Sequence, residues 1–272
     1  IDGTLLIAKN FLSGAGAGVE GSIGVWAFNR CTNLSVEGEG DDQNYVGWWM
    51  HETDLKHIDN AVQAVNCNVQ SVEKYGFRLI NFQGSKFVNC EAGGTMDHGW
   101  YLGDPTRGDT KVCWGVFSNC LADSTRSDGW RISKGNATDL KENQFSNCCA
   151  GNTGGHGVRV QGADGMVFSN WLIIEPHQCG IELDSCSRIS CSSNSIRQFN
   201  KSGRGFAGIN LANSSQNILS SNHCYSTIDA EVPGRGIDEN GSSDWNIVTS
   251  NNVCGAQKLG ENSVFENNVG AS

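Results

Sequence analysis

The sequence predicts an all-β parallel β-helix, a solenoid of about ten coils, and three observations lead there. First, an Asn recurs as Asn66, Asn89, Asn119, Asn147, Asn170, Asn194, Asn222 and Asn251, at spacings of 23, 30, 28, 23, 24, 28 and 29 residues. Second, Gly76, Gly99, Gly129, Gly157 and Gly180 each follow an Asn by 10 residues, while Gly208 and Gly236 follow theirs by 14. Such a fixed offset describes one corner of a coil, with insertions confined to particular loops. Third, apolar and polar residues alternate after each Gly: "GFRL", "GWYL", "GWRI", "GVRV", "GIEL", "GINL", with "GIDE" fraying at the end. That is the period-2 pattern of a half-buried strand.

The elements follow in order around one coil. An aromatic precedes the early Asn residues in "KFVN", "VFSN" and "QFSN", which reads as a second short strand. Stacked coils place equivalent residues about 4.8 Å apart, so like side chains form ladders. The Asn series is expected to be a turn ladder, because Asn tolerates left-handed backbone and bonds to nearby main chain. The next position holds Cys67, Cys90, Cys120 and Cys148, then Trp171, a column expected to point inward as free thiols and small hydrophobes. Leucine-rich repeats of similar length need a regular Leu frame, and none is present. Residues 1–59 are read as N-terminal coils and irregular loops, 60–255 as regular coils, and 256–272 as the C-terminal end of one domain.

Composition agrees and excludes several classes. There are 35 Gly and 3 Pro in 272 residues, which suits many short strands joined by tight turns. The net charge of −10 argues against nucleic acid as a partner. No apolar run reaches the roughly 18 residues a membrane helix needs, and the Ile1 start reads as a processed or trimmed terminus. The twelve Cys include no C-x-x-C pair and no zinc spacing with His, so no metal is expected. Free buried thiols imply folding in a reducing cytoplasm, with release from a virion or by lysis as the route to an extracellular role.

Residues 60 to 270 resemble the pectate-lyase-like superfamily of right-handed parallel β-helices, which includes polysaccharide lyases, polygalacturonase-type hydrolases, mannuronan epimerases and phage tailspikes. The resemblance is carried by "NCNVQSVEKYGFRLIN", "NCEAGGTMDHGWYLGD" and "SDWNIVTSNNV", with "CTNLSVEGEG" at 31 to 40 similar to an early coil. It implies a right-handed coil, a polysaccharide substrate, an extracellular or virion-associated location and, for tailspike-like members, a homotrimer. No complete catalytic signature of a lyase, hydrolase or epimerase is present. The "DPHD" element of one epimerase group is absent, and "GDPTRGD" is a loose echo of it. Calcium is compatible with the superfamily, but no motif indicates it and no cofactor is expected.

Chemistry is then read from the outward stripe. Two places after each Gly stand Arg78, Tyr101, Arg131, Arg159, Glu182, Asn210 and Asp238. Arg131 and Arg159 fall one coil apart, where like charges repel unless an anion lies between them. That anion is either an internal carboxylate, Asp128 or Glu182, or an acidic sugar held by charge-assisted bonds. The residue before each Gly runs Tyr75, His98, Asp128, His156, Cys179, so His98, Asp128 and His156 share a corner beside the arginines. The insertions "DPTRGDTKVCW" and "SKGNATDLKEN" leave the edge of the same coils and could wall a groove.

Two reactions fit. β-Elimination on a uronic acid needs a cation at the carboxylate, here Arg131 or Arg159, with base and acid roles open to His98, His156 and Tyr101. Hydrolysis needs two carboxyl groups, about 5 Å apart for retention or about 6.5–9.5 Å for inversion. Glu182 and Asp184 would stand about 6.5–7 Å apart on one strand, and Asp128 and Glu182 about 9.6 Å apart across two coils. The sequence thus points to a tailspike-like protein that binds and depolymerises an acidic polysaccharide, with Arg78, Tyr101, Arg131 and Arg159 binding it and His98, Asp128, His156, Glu182 and Asp184 as catalytic candidates. The rival is a β-helix that only binds glycan or serves as a shaft. Trp100 and Trp130 fall at inward positions, so most of the aromatic signal is assigned to core.

Overall fold

The computed structural model describes residues 63–270, apart from 81, 104–110, 135–138, 229–231 and 258–259, together with short strands within the first fifty residues. Three sheets of ten parallel strands each run the length of the coil, in simple stacking order. The expected coil number is thus met. One sheet holds the aromatic strands, such as Lys86–Val88, Val116–Ser118 and Gln144–Ser146. The next holds strands such as Glu91–Gly93, Leu121–Asp123 and Cys149–Gly151. The third holds the strands of the Gly corner, including Tyr75–Leu79, Trp100–Leu102, Trp130–Ser133, Val158–Gln161 and Ile181–Asp184.

The alternation after Gly behaves as expected. Phe77, Trp100, Trp130, Val158 and Ile181 stack inward in register and are fully buried. Trp100 lies 3.9 Å from Phe77 and 4.6 Å from Trp130, ring on ring, so both indoles are core. The Gly itself is required by close approach. A Cβ on Gly129 would meet the Gly157 carbonyl at 2.7 Å and the Ala150 methyl at 3.1 Å. Below about 3 Å a real contact forces backbone to shift, and no neighbour here is a flexible chain end.

The corner after the aromatic strands corrects the expected Asn ladder. Asn33, Asn66, Asn89, Asn119, Asn147 and Asn170 all have φ between 52 and 55°, and side-chain amides link the first four in sequence at 2.9, 3.1 and 3.2 Å. From the next coil onward the left-handed position passes to Ser193, Ser221 and Ser250. Asn194, Asn222 and Asn251 sit one place later and are buried, in the column that Cys67, Cys90, Cys120, Cys148 and Trp171 occupy earlier. The single series read from the sequence is therefore two ladders in tandem, displaced by one residue. Spacing alone hides this, because a slip of one residue falls within the variation caused by loop length.

The thiol column points inward as expected, and all eleven described cysteines are free. Burial pushes the Cys120 and Cys191 thiols above the ordinary range, as it does for an acid whose charged form loses water. The expected N-terminal coils and loops over 1–59 lie largely outside the described residues. So do positions 104–110 and 135–138 of the two insertions. Their remaining parts, Lys111–Cys113 and Asp139–Lys141, join Phe82–Gln83 in a short fourth sheet.

Candidate functional site

The Gly-corner sheet carries the outward ladder in unbroken register: Arg78, Tyr101, Arg131, Arg159, Glu182, Asn210 and Asp238 each pair with the next. Beside it, the corner residues are tied coil to coil. The Asp128 amide donates to His98 Nδ1 at 3.2 Å, and the His156 amide donates to Asp128 Oδ1 at 2.9 Å. His98 and Asp128 are thereby fixed in place by main chain of the neighbouring coil. Tyr75, His98 and Tyr101 stack with nearly parallel rings, His98 and Tyr101 at 5.5 Å and Tyr75 and Tyr101 at 5.0 Å.

Two adjoining basins open on this face. The first, about 380 Å³, is lined by Tyr75, His98, Tyr101, Asp128, Arg131 and Arg159, with Arg126 and Gln178 on the wall. The second, about 430 Å³, is lined by His156, Arg159, Cys179, Glu182, Arg204 and Asp238 among others. Arg159 and Gln178 belong to both and mark the junction.

The two arginines differ in their partners. Arg131 Nη1 lies 3.6 Å from Asp128 Oδ2, and its Nη2 donates to Gln161 Oε1 at 3.3 Å. The internal carboxylate considered from sequence thus serves Arg131. Arg159 makes no ion pair among the described residues, and its buried Nε has no hydrogen-bond partner. An unpaired buried donor is costly, typically about 1–3 kcal/mol.

Burial holds the His98 imidazole below the ordinary histidine range, opposed by the nearby Asp128 and Asp97 carboxylates. Burial lowers His156 as well. With Nδ1 of His98 accepting from the Asp128 amide, the proton of the neutral ring sits on Nε2, 3.4 Å from Asp97 Oδ1. In the second basin Glu182 Oε2 accepts from Asn210 Nδ2 at 2.8 Å and from the Cys179 thiol at 3.3 Å. Ligand atoms of His156, Cys179 and Glu182 lie within 4.8 Å of one another. Linear zinc spacing does not reveal this trio, because its members come from two coils.

The structure brings His98, Tyr101, Asp128, Arg131 and Arg159 to one basin, and His156 and Glu182 with Arg159 to the other. Arg78 and Asp184 line neither. Arg78 packs over the Tyr75 ring at 5.2 Å, and the Asp184 carboxylate accepts from Gln161 Nε2 and Ser185 Oγ. Arg126, Gln178, Arg204 and Phe206 join the walls without a signal in the outward ladder. The last two belong to the corner insertion, which shows in the sequence as the jump in Asn-to-Gly offset from 10 to 14.

Stacked parallel sheets with a polar, arginine-bearing groove define a solenoid of the parallel β-helix class. The chain belongs to the right-handed β-helix family, whose profile matches residues 55–253. No curated protein sequence matches it. Among solved structures, the A-module of the mannuronan C-5 epimerase AlgE4 from Azotobacter vinelandii is similar with a TM-score of 0.61 at 14% identity, over 91% of this chain and 79% of that one. The periplasmic alginate epimerase AlgG is similar with a TM-score of 0.60 at 12% identity, over 90% of this chain and 60% of that one. The Agl-KA catalytic domain aligns with a TM-score of 0.55 at 14% identity, over 90% of this chain and 47% of that one. At such identities the likeness concerns the fold.

Proposed function

We propose that the groove binds an acidic polysaccharide and cleaves it by β-elimination at a uronic acid. The observation that carries this reading is Arg159, a guanidinium without an ion-pair partner among the described residues, at the junction of two basins and one coil from Arg131. A uronate carboxylate bridging the two would relieve the like-charge pair and delocalise the charge that forms when the adjacent carbon loses its proton. Tyr101, in its ionised form, takes the proton as base and passes it to the leaving oxygen, while the neutral His98 ring stacked on it in the same basin offers its Nε2–H as a hydrogen-bond donor. His98 works in its neutral form, so activity is expected to fall as the pH drops towards its lowered value.

Hydrolysis is less well supported, because Asp184 is engaged elsewhere and Asp128 and Glu182 line different basins. C-5 epimerisation shares the proton abstraction and is the third outcome to be distinguished. Incubation with a panel of acidic polysaccharides separates the three. An unsaturated, ultraviolet-absorbing product indicates elimination, new reducing ends without it indicate hydrolysis, and a changed uronate composition without scission indicates epimerisation. Arg159→Ala is expected to weaken substrate handling by about 1.5–3 kcal/mol with little change in Tm. Unchanged handling of every substrate by that variant overturns the reading. An exported or virion-borne homotrimer is proposed with it, and a monomeric mass by light scattering would refute the assembly.

A further inference from the structure

We propose that His156, Cys179 and Glu182 form a binding site for a divalent transition metal of the zinc class, at the bottom of the second basin. This inference is independent of the polysaccharide reading. The fold creates the constellation through two adjacent coils. His156 and Cys179 occupy the same corner position, just before Gly157 and Gly180, and Glu182 is the outward residue of the strand that Gly180 opens.

The geometry and the donor types agree. A tetrahedral ion with a thiolate at about 2.3 Å and a carboxylate oxygen at about 2.0 Å places those two atoms about 3.5 Å apart. The observed separation from Cys179 Sγ to Glu182 Oε2 is 3.3 Å. All three donor atoms fit within a 4.8 Å span, so side-chain adjustment alone closes the site. His156 is only 5% exposed and its Nδ1 has no hydrogen-bond partner, a buried nitrogen that nothing in the fold uses. A thiol, an imidazole and a carboxylate together select a borderline-soft ion, whereas calcium asks for six to eight oxygens.

Support beyond the ligands is present. Asn210 donates to Glu182 and is itself held by the Asn240 amide at 2.9 Å, an outer layer that orients the carboxylate. The thiolate and carboxylate together offset the charge of a divalent ion. Binding breaks the Cys179 S–H bond and forms a sulfur–metal bond, and the proton leaves to solvent. Three protein ligands leave one coordination position facing the basin.

The test uses the metal alone on the chelator-stripped full chain. Zn2+ is titrated in competition with a chromophoric chelator, proton release is followed with a pH indicator, and Co2+ serves as the optical probe. We expect one Zn2+ per chain, about one proton released per ion, and a thiolate-to-cobalt charge-transfer band. Cys179→Ser should abolish the band and weaken Zn2+ binding by more than about 100-fold, the upper range for outer-layer losses. Cys149→Ser and Cys254→Ser, at the two described cysteines that are not buried, should change neither. If circular dichroism shows Cys179→Ser misfolded, the near-isosteric Glu182→Gln carries the test and should weaken Zn2+ binding by a similar factor. Absence of stoichiometric binding, or a band that survives Cys179→Ser or disappears in Cys254→Ser, overturns the proposal.

Discussion

The two halves of the solenoid solve one problem with different chemistry. At the inner corner after each aromatic strand, a side chain faces the mid-strand carbonyl of the coil before it. In the N-terminal half that side chain is a thiol: Cys90, Cys120 and Cys148 reach the carbonyls of Ala64, Phe87 and Phe117 at 3.5, 3.5 and 3.7 Å. Trp171 makes the change-over, its indole N–H donating to the Phe145 carbonyl at 3.4 Å. In the C-terminal half the side chain is an amide: Asn194, Asn222, Asn251 and Asn268 donate to Phe168, Cys191, Leu219 and Val248.

The contrast shows how a coil holds its register. A thiol is a weak donor and mainly fills space, so the first half relies on the stacked Phe77, Trp100 and Trp130 rings and the facing Phe87, Phe117 and Phe145 rings. An amide both donates and accepts. Asn222 Oδ1 takes the Asn194 backbone N–H at 3.1 Å and its side-chain amide at 2.9 Å, and Asn251 does the same for Asn222. Parallel columns built from Asn217 and Asn246 and from Ser214 and Ser243 repeat the device. Inward polarity at the end of the coil is satisfied even at Glu239, fully buried yet bonded by Asn246, Ser263 and the Gly260 amide.

The largest effect should be common to both halves and so mark what they share. Gly129→Ala and Gly208→Ala each force a Cβ onto a carbonyl, at 2.7 and 2.6 Å respectively, and each should cost about 3 kcal/mol by denaturant unfolding. A much smaller cost in one half would mean that its corner can relax.

Next come the ladders themselves, where the halves should part. Asn222→Ala strands the buried Asn194 N–H and removes the donor to Cys191, so a loss of about 2–3 kcal/mol is expected. Cys120→Ala removes one weak bond and little volume, and about 1 kcal/mol is expected. Equal losses would show that the amide ladder adds nothing over packing.

A pH effect separates the groove coils from the C-terminal ones. His98 and His156 have folded pKa values depressed by burial, so the unfolded chain binds protons first as pH falls. Stability attributable to them is full above about 6.5, the ordinary histidine value. It declines as the pH passes from there through the depressed folded values. His156→Phe should flatten part of that slope in a pH series of thermal melts, and an unchanged slope would assign it to other groups.

Smallest in energy is the accessibility of the thiols. In the native protein without reductant, a thiol reagent should label Cys149 and Cys254 first among the described cysteines, since the other nine are buried. Denaturation should expose most of the twelve. Recovery of almost none after denaturation would replace the thiol column with disulfides and remove one side of the comparison.

The coil, its number of turns and the outward column from Arg78 to Asp238 were legible in the residues alone, because a stacked repeat turns linear spacing directly into spatial register. So was the shared inward position of the thiols on four successive coils. The slip of the Asn column by one residue was not, since Ser and Asn both tolerate the left-handed corner and a change of loop length conceals the displacement. Nor could spacing tell which arginine is paired, or that His156, Cys179 and Glu182 converge. Those depend on where side chains end rather than where they start. A partner one coil away is 23 to 30 residues distant in sequence, and it is the packing of each corner that selects which of several equivalent neighbours a group reaches.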